Sequence, residues 1–210
     1  MPHVVLLGDS IFDNAAYVPG GPSVLDHLRK HLLPSWRATL LAVDGSVTED
    51  VARQLKELPR DATHLVVSTG GNDALGARSW ILHEPAESVA GVLTALDGIR
   101  EAFQATYRTM LDQLRSFHRP VAVCTIYDAI PGLSPAERAG LALFNETILR
   151  EASRAIVSVI DLRLACNDPD DFSPLSPIEP SAFGGSKIAR LIRRVVAEQD
   201  VSNLAARIYR

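Results

Sequence analysis

Three short polar stretches of this chain, each closing an apolar run, hold groups that can act on a carbonyl. The first is Gly8-Asp9-Ser10 in "GDSIFD". Gly8 permits a tight turn, and Ser10 stands where a strand gives way to loop or helix, with a hydroxyl able to serve as a nucleophile. The second is Gly45 in "VDGSVTEDV", which can offer an unobstructed backbone N–H. The third is "TGGND", in which Asn72 carries a side-chain amide and Asp73 follows it. Singly, each has an ordinary explanation: a helix-capping serine, a turn glycine, a buried turn asparagine. At three consecutive strand ends, a hydroxyl, a glycine N–H and an amide are the parts required to attack a carbonyl carbon and hold the resulting oxyanion.

Such groups need a scaffold whose strand ends lie side by side. Five apolar runs, "HVVLLG", "RATLLAV", "HLVVST", "PVAVCTIY" and "AIVSVIDL", are near-continuous rather than alternating. That is the pattern of strands covered on both faces. Helical patterns lie between them. Val24, Leu25, Leu28 and Leu32 share one face, and Val51, Leu55 and Leu58 share another, with Thr48 as its N-cap. Ser88 to Phe117 is a long amphipathic run with apolar residues at spacings of three and four. "SPAERAGLALFNETILREAS" opens on a capping box, Ser134 and Glu137, with Pro135 at the first helical position.

Strand then helix, five times over, predicts an α/β fold: a flavodoxin-like three-layer α/β/α sandwich with a five-stranded parallel sheet, one domain over residues 1–210. Ligands bind such sheets at the carboxyl ends of the strands. The irregular stretch "CNDPDDFSPLSPIEPSAFGG" (166–185) joins the last strand to the last helix. Loops of that length inside a compact domain are usually functional.

The 210 residues, 47% hydrophobic and 22% charged, suffice to bury roughly 70% of the unfolded surface without a staple. A net charge of −4 with no long block of either sign argues against nucleic acid as a partner. No run reaches the ~18 apolar residues of a membrane span, and "HVVLLG" is too short for a signal-peptide core. The expectation is a cytoplasmic protein with no membrane association. Cys124 and Cys166 read as buried, inert thiols, and the absence of a Cys/His cluster predicts no metal and no cofactor. The sequence leaves the oligomeric state open.

The order and spacing of these blocks resemble the SGNH hydrolase superfamily, the GDSL esterases and lipases, over essentially the whole chain. Gly8-Asp9-Ser10 matches its first block, Gly45 the second, Gly70-Gly71-Asn72-Asp73 the third, and Pro180 to Ala189 the frame of the last. The resemblance implies a hydrolase of small-molecule carboxylic esters, acting through an acyl-enzyme on Ser10. Its oxyanion hole would be the N–H groups of Ser10 and Gly45 and the amide of Asn72. Asp9 and Asp73 would border the substrate, Asp73 chiefly bracing its loop. A compact domain without a lid further implies a shallow, open site for small or sugar-borne esters.

The last block departs from the family. Where the pattern D-x-x-H carries a histidine base and the aspartate that holds it, this chain has Glu179 and Ser176, and no histidine follows His118. A relaxed Glu titrates near ~4.3 against ~6.5 for His, about 3 kcal/mol less proton affinity. Burial can restore much of that. One reading makes Glu179 the general base; a second makes the chain an impaired enzyme that binds a ligand in the same crevice. A third recruits His83, which follows the third block in "ARSWILHEP" beside Trp80, Ile81 and Leu82, candidate walls of an acyl pocket.

Overall fold

The computed structural model describes residues 1–83, 85, 87–199 and 206–210. Its centre is a parallel sheet of β1 (His3–Gly8), β2 (Arg37–Leu40), β3 (His64–Ser68), β4 (Val121–Cys124), β5 (Ser158–Ile160) and β6 (Ile208–Tyr209), in the order β2-β1-β3-β4-β5-β6. The first five strands are the five apolar runs, in flavodoxin-like order. The sixth strand corrects the expected five. It is two residues long, too short to leave a periodic signal, and extends the sheet beyond β5.

Near-continuous apolarity has the expected cause. Val4 and Leu6 enter one core with Val24 and Leu28 of α1 (Val24–His31) and Ile188, Ile192 and Val195 of α7 (Ala182–Glu198). Val5 and Leu7 enter the other, with Phe103, Leu111 and Leu114 of α4 (Val89–Ser116) and Ile148 of α5 (Pro135–Ala155). Successive strand residues point to opposite faces, so a sheet packed on both sides needs apolar residues at every position.

Ser88 caps α4, and Ser134 with Glu137 closes the capping box of α5 behind Pro135. The Val51 helix differs from expectation. Its α-helical part, α2, is only Val51–Gln54, between single 3₁₀ turns, and Thr48 lies inside the first of these rather than capping the helix. The Thr48 hydroxyl is engaged elsewhere, with Asp73.

Helix α3 (Gly71–His83) gives no amphipathic signal in the sequence because it buries no residue. It projects from the carboxyl edge of β3, with Ile81 close to Gly140 of α5, whereas Gly70 at its base is close to Ile148. The two helices therefore run in opposite directions, α3 leaving the sheet as α5 approaches it. A four-residue helix, α6 (Leu162–Ala165), follows β5. Among the described residues no helix is long and apolar enough to cross a membrane.

Candidate active site

In this strand order β1 lies between β2 and β3, so the chain leaves β1 and β3 in different directions and a crevice opens between their ends. Ser10 is two residues past β1, and Asn72 follows β3. Gly8 makes the turn possible: its φ is +113°, and a Cβ there would sit 1.7 Å from the Ser68 carbonyl oxygen. The buried Gln54 amide secures the same residue, accepting the Gly8 N–H at 2.7 Å and donating to its carbonyl at 2.8 Å. It supplies the pairing a neighbouring strand would, where β2 has already ended at Leu40.

Ser10 is 7% exposed and lines a cleft of about 370 Å³. Its N–H makes no hydrogen bond among the described residues, although Ile11, Phe12 and Asp13 all donate to Asp9. Asn72 donates one amide hydrogen to the Ser46 carbonyl at 2.9 Å, which fixes the side chain and leaves the second hydrogen for the cleft. That bond also fastens the Gly45–Ser46 turn beside it. Gly45 is exposed at the rim with φ +77°, its N–H unused among the described residues, and it is not part of the cleft lining.

Glu179 lies in the same cleft, 3% exposed. Burial raises its pKa above the ordinary glutamate range, opposed by the nearby hydroxyls of Ser10 and Ser176, while the Asp44 charge adds to the rise. The bond of regular geometry is the Ser176 hydroxyl donating to Oε2 at 3.3 Å. The Ser10 hydroxyl also favours the charged carboxylate, without meeting that geometry.

Main-chain bonds hold the loop carrying Glu179. Its N–H donates to the Ser176 carbonyl, and its carbonyl accepts from the Ser173 N–H. Tyr127 Oη donates to the Ile178 carbonyl at 2.6 Å, and Asn14 Nδ2 donates to that of Pro180 at 3.1 Å. Asn14 thereby joins the Ser10 turn to the Glu179 loop. Ser181 caps α7, and two residues into the helix, a Cβ on Gly184 would meet the Asp171 carbonyl oxygen at 2.2 Å.

Asp9 is 2% exposed, and its pKa is pushed up to about 7, first by burial and less by the charges of Glu179 and Asp73. The Ile11 N–H and the Ser68 hydroxyl partly offset this. Asp73 accepts the Thr48 N–H and hydroxyl, each at 3.0 Å, and so braces the second-block loop against α3. It does not line the cleft.

The remaining candidates are not brought to the site. Trp80 and His83 are outside the cleft lining, and His83 is exposed at the end of α3. At about 100° per residue Trp80 falls on the side of α3 opposite Arg78. Ile81 and Arg78 do line the cleft. The site is also deeper than a lidless domain suggests, because α3 rises beside it as a wall. Gln54, Asn14 and Tyr127 were not legible beforehand: each is an ordinary residue whose partner lies 46 to 166 residues away.

A family model described as the GDSL-like lipase/acylhydrolase family matches residues 6–184. No curated protein sequence matches the chain. Solved structures share the fold at low identity. A lipase from goat rumen metagenome is 19% identical, with a TM-score of 0.72 over 93% of this chain and 97% of its own. An extracellular lipase from Streptomyces rimosus is 20% identical, with a TM-score of 0.65 over 95% and 100%. An acetyl xylan esterase from Geobacillus stearothermophilus is 15% identical, with a TM-score of 0.64 over 95% and 96%.

Proposed function

The chain belongs to the GDSL-like lipase/acylhydrolase family, and from that premise we propose that it hydrolyses small-molecule carboxylic esters through Ser10 with Glu179 as the general base. The observation that carries the reading is the burial of Glu179 in one cleft with Ser10, on a loop fixed by its own main chain. A carboxylate so placed has a raised pKa, which brings it toward the range in which a base works at neutral pH.

As Ser10 Oγ attacks the ester carbonyl carbon, its proton passes to Glu179, and the carbonyl electron pair becomes an oxyanion. The Ser10 N–H and the free Asn72 hydrogen face that oxygen from within the cleft, with the Gly45 N–H at the rim. When the tetrahedral intermediate collapses, protonated Glu179 returns the proton to the departing alkoxide, leaving an acyl group on Ser10. Water then repeats the sequence and releases the acid. A histidine base would become an imidazolium beside the oxyanion, whereas Glu179 becomes neutral. One negative charge thus moves from carboxylate to substrate, and the hydrogen-bond donors carry all of the stabilisation.

The buried free thiols Cys124 and Cys166, both held above the ordinary thiol pKa by burial, suit a reducing, cytoplasmic setting. The test is hydrolysis of 4-nitrophenyl butanoate by the wild type, Ser10→Ala and Glu179→Gln. Ser10→Ala abolishes turnover, and Glu179→Gln lowers kcat by about 10²- to 10⁴-fold while a fluorophosphonate still labels Ser10 slowly. Hydrolysis surviving Ser10→Ala refutes the nucleophile; kcat within threefold of wild type in Glu179→Gln refutes the base.

A further inference from the structure

Resting on the esterase reading, we propose that the substrate carries an unbranched acyl chain of about six to ten carbons, lying in the groove between α3 and α5, with Ile81 and Gly140 setting its length.

The cleft extends well past the reacting groups. Its α3 wall is Asn72, Leu75, Arg78 and Ile81, and its α5 wall is Glu137, Gly140, Leu141 and Phe144. The α5 set follows helical spacing of three and four and the α3 set winds across the facing side of its helix, so the two helices enclose the cleft between them and meet where Ile81 approaches Gly140. Ile126, Ile130 and Leu133 of the β4–α5 loop complete an apolar trough. Because α3 runs outward from the sheet, the trough starts at Asn72 beside Ser10 and ends at Ile81.

The dimensions decide the chain length. The nine steps of α3 from Asn72 to Ile81 rise about 13 Å. An extended alkyl chain advances roughly 1.25 Å per carbon for bonds of about 1.52 Å, so the trough takes about ten carbons from the carbonyl. The whole cleft, reacting groups included, is about 370 Å³, about a dozen groups of water size at roughly 30 Å³ each. An acetyl group would leave most of the apolar wall wet. At the outer rim the Arg78 guanidinium donates to the Glu137 carboxylate, whose pKa is held near about 2 by the Ser134 hydroxyl and N–H and by Arg78. A longer chain would have to strip water from that pair.

Past Glu179, outside the cleft lining, the surface is polar. Tyr17 Oη donates to Asp44, and the Asp44 N–H donates to Asp13. That side suits the departing alcohol and places the alkyl chain on the acyl side. Gly140 has a particular part: a Cβ there would lie 2.9 Å from Ile81 Cδ1. The missing side chain lets Ile81 seat against α5; a methyl would push it into the trough. Since alanine favours helix over glycine, Gly140→Ala alters the trough without weakening α5.

The experiment measures kcat/KM for 4-nitrophenyl esters from acetate to dodecanoate with wild type, Gly140→Ala and Ile81→Ala. Burial of each methylene gives about fourfold, and the wild type is expected to favour hexanoate over acetate by at least tenfold and to decline beyond decanoate. Gly140→Ala lowers the octanoate-to-butanoate ratio about fivefold, and Ile81→Ala raises the dodecanoate-to-octanoate ratio. A preference for acetate, a flat series, or the same gain from lengthening the alcohol instead of the acyl part overturns the proposal. If no ester is turned over, the catalytic reading fails while the groove stays testable by calorimetry with 2-alkanones. Affinity rising with length from butanone to 2-decanone supports it; a flat series overturns it.

Discussion

Asp9 offers a perturbation whose size follows from its surroundings. Its carboxyl is fully enclosed beneath the nucleophile turn and titrates near about 7, against 3.8 when exposed. Between those two values the folded state holds a proton that the unfolded state has released, so stability falls as pH rises through this window. At 1.36 kcal/mol per pH unit the whole effect is about 4 kcal/mol, of which roughly 2–3 kcal/mol falls between pH 5 and pH 8. Asp9→Asn removes the charge and keeps an oxygen that can accept the Ile11 N–H, a 3.2 Å bond in the wild type.

The assay is urea unfolding of both proteins at pH 5, 6, 7 and 8. The stability of the variant relative to the wild type should rise by roughly 2–3 kcal/mol across that range, whatever its value at pH 5. The comparison isolates Asp9, because the other raised carboxyls, Asp73 and Glu179, are present in both proteins. A difference constant to within ~0.5 kcal/mol would show that Asp9 is ionised throughout and that its enclosure is not felt as desolvation.

Two further outcomes follow from the Glu179 loop. Gly184→Ala puts a methyl 2.2 Å from the Asp171 carbonyl oxygen, an overpacking of about 1–3 kcal/mol. It should lower Tm by roughly 2–12 °C at about 2–4 °C per kcal/mol, with a loss of kcat beyond what thermal inactivation explains, since α7 starts from that turn; an unchanged Tm in calorimetry counts against the close packing. Ser176→Asp combined with Glu179→His exploits the existing 176–179 side-chain contact and recovers at most about two pH units of basicity, less the part that burial already restores to Glu179. On the order of half of that gain expressed in the transition state raises kcat up to about tenfold, and a double variant no faster than the wild type speaks against a base at position 179.

The fold was legible because a parallel sheet covered on both faces leaves an unambiguous mark: Val4-Val5-Leu6-Leu7 serves two cores at once. Ser10 and Asn72 were legible for the same reason, standing where such runs stop. Helix α3 was not, since it buries nothing and has no apolar face to advertise. The groove was not either, because Leu141 and Phe144 on α5 have the spacing of any core stripe. Only the direction of α3 decides that this stripe faces a trough. Trp80 and His83 were drawn in by proximity along the chain, and helical phase turns Trp80 away while leaving Ile81 in place.

Glu179 is legible in the opposite way, through its frame. The contacts that place residue 179 are its own N–H and carbonyl, with Ser176 and Ser173, and the carbonyls of its neighbours Ile178 and Pro180. None depends on what the side chain at 179 is. The main chain of the loop therefore presents an imidazole or a carboxylate alike, while the Glu179 side chain carries the cost of its own burial. A solvated carboxylate at that point would be too weak a base to be useful. Enclosure beside Asp9, with Asp44 nearby, moves its pKa in the required direction. The same enclosure leaves two acidic groups beside Ser10, with Arg78 of the cleft lining engaged by Glu137, so in the proposed mechanism an oxyanion depends on the donors of Ser10, Gly45 and Asn72 more heavily than it would beside an imidazolium. Asn72→Ala should accordingly cost at least the ~2.7–4 kcal/mol typical of one oxyanion donor, read as a fall in kcat with KM little changed. A loss below about tenfold would place the charge elsewhere.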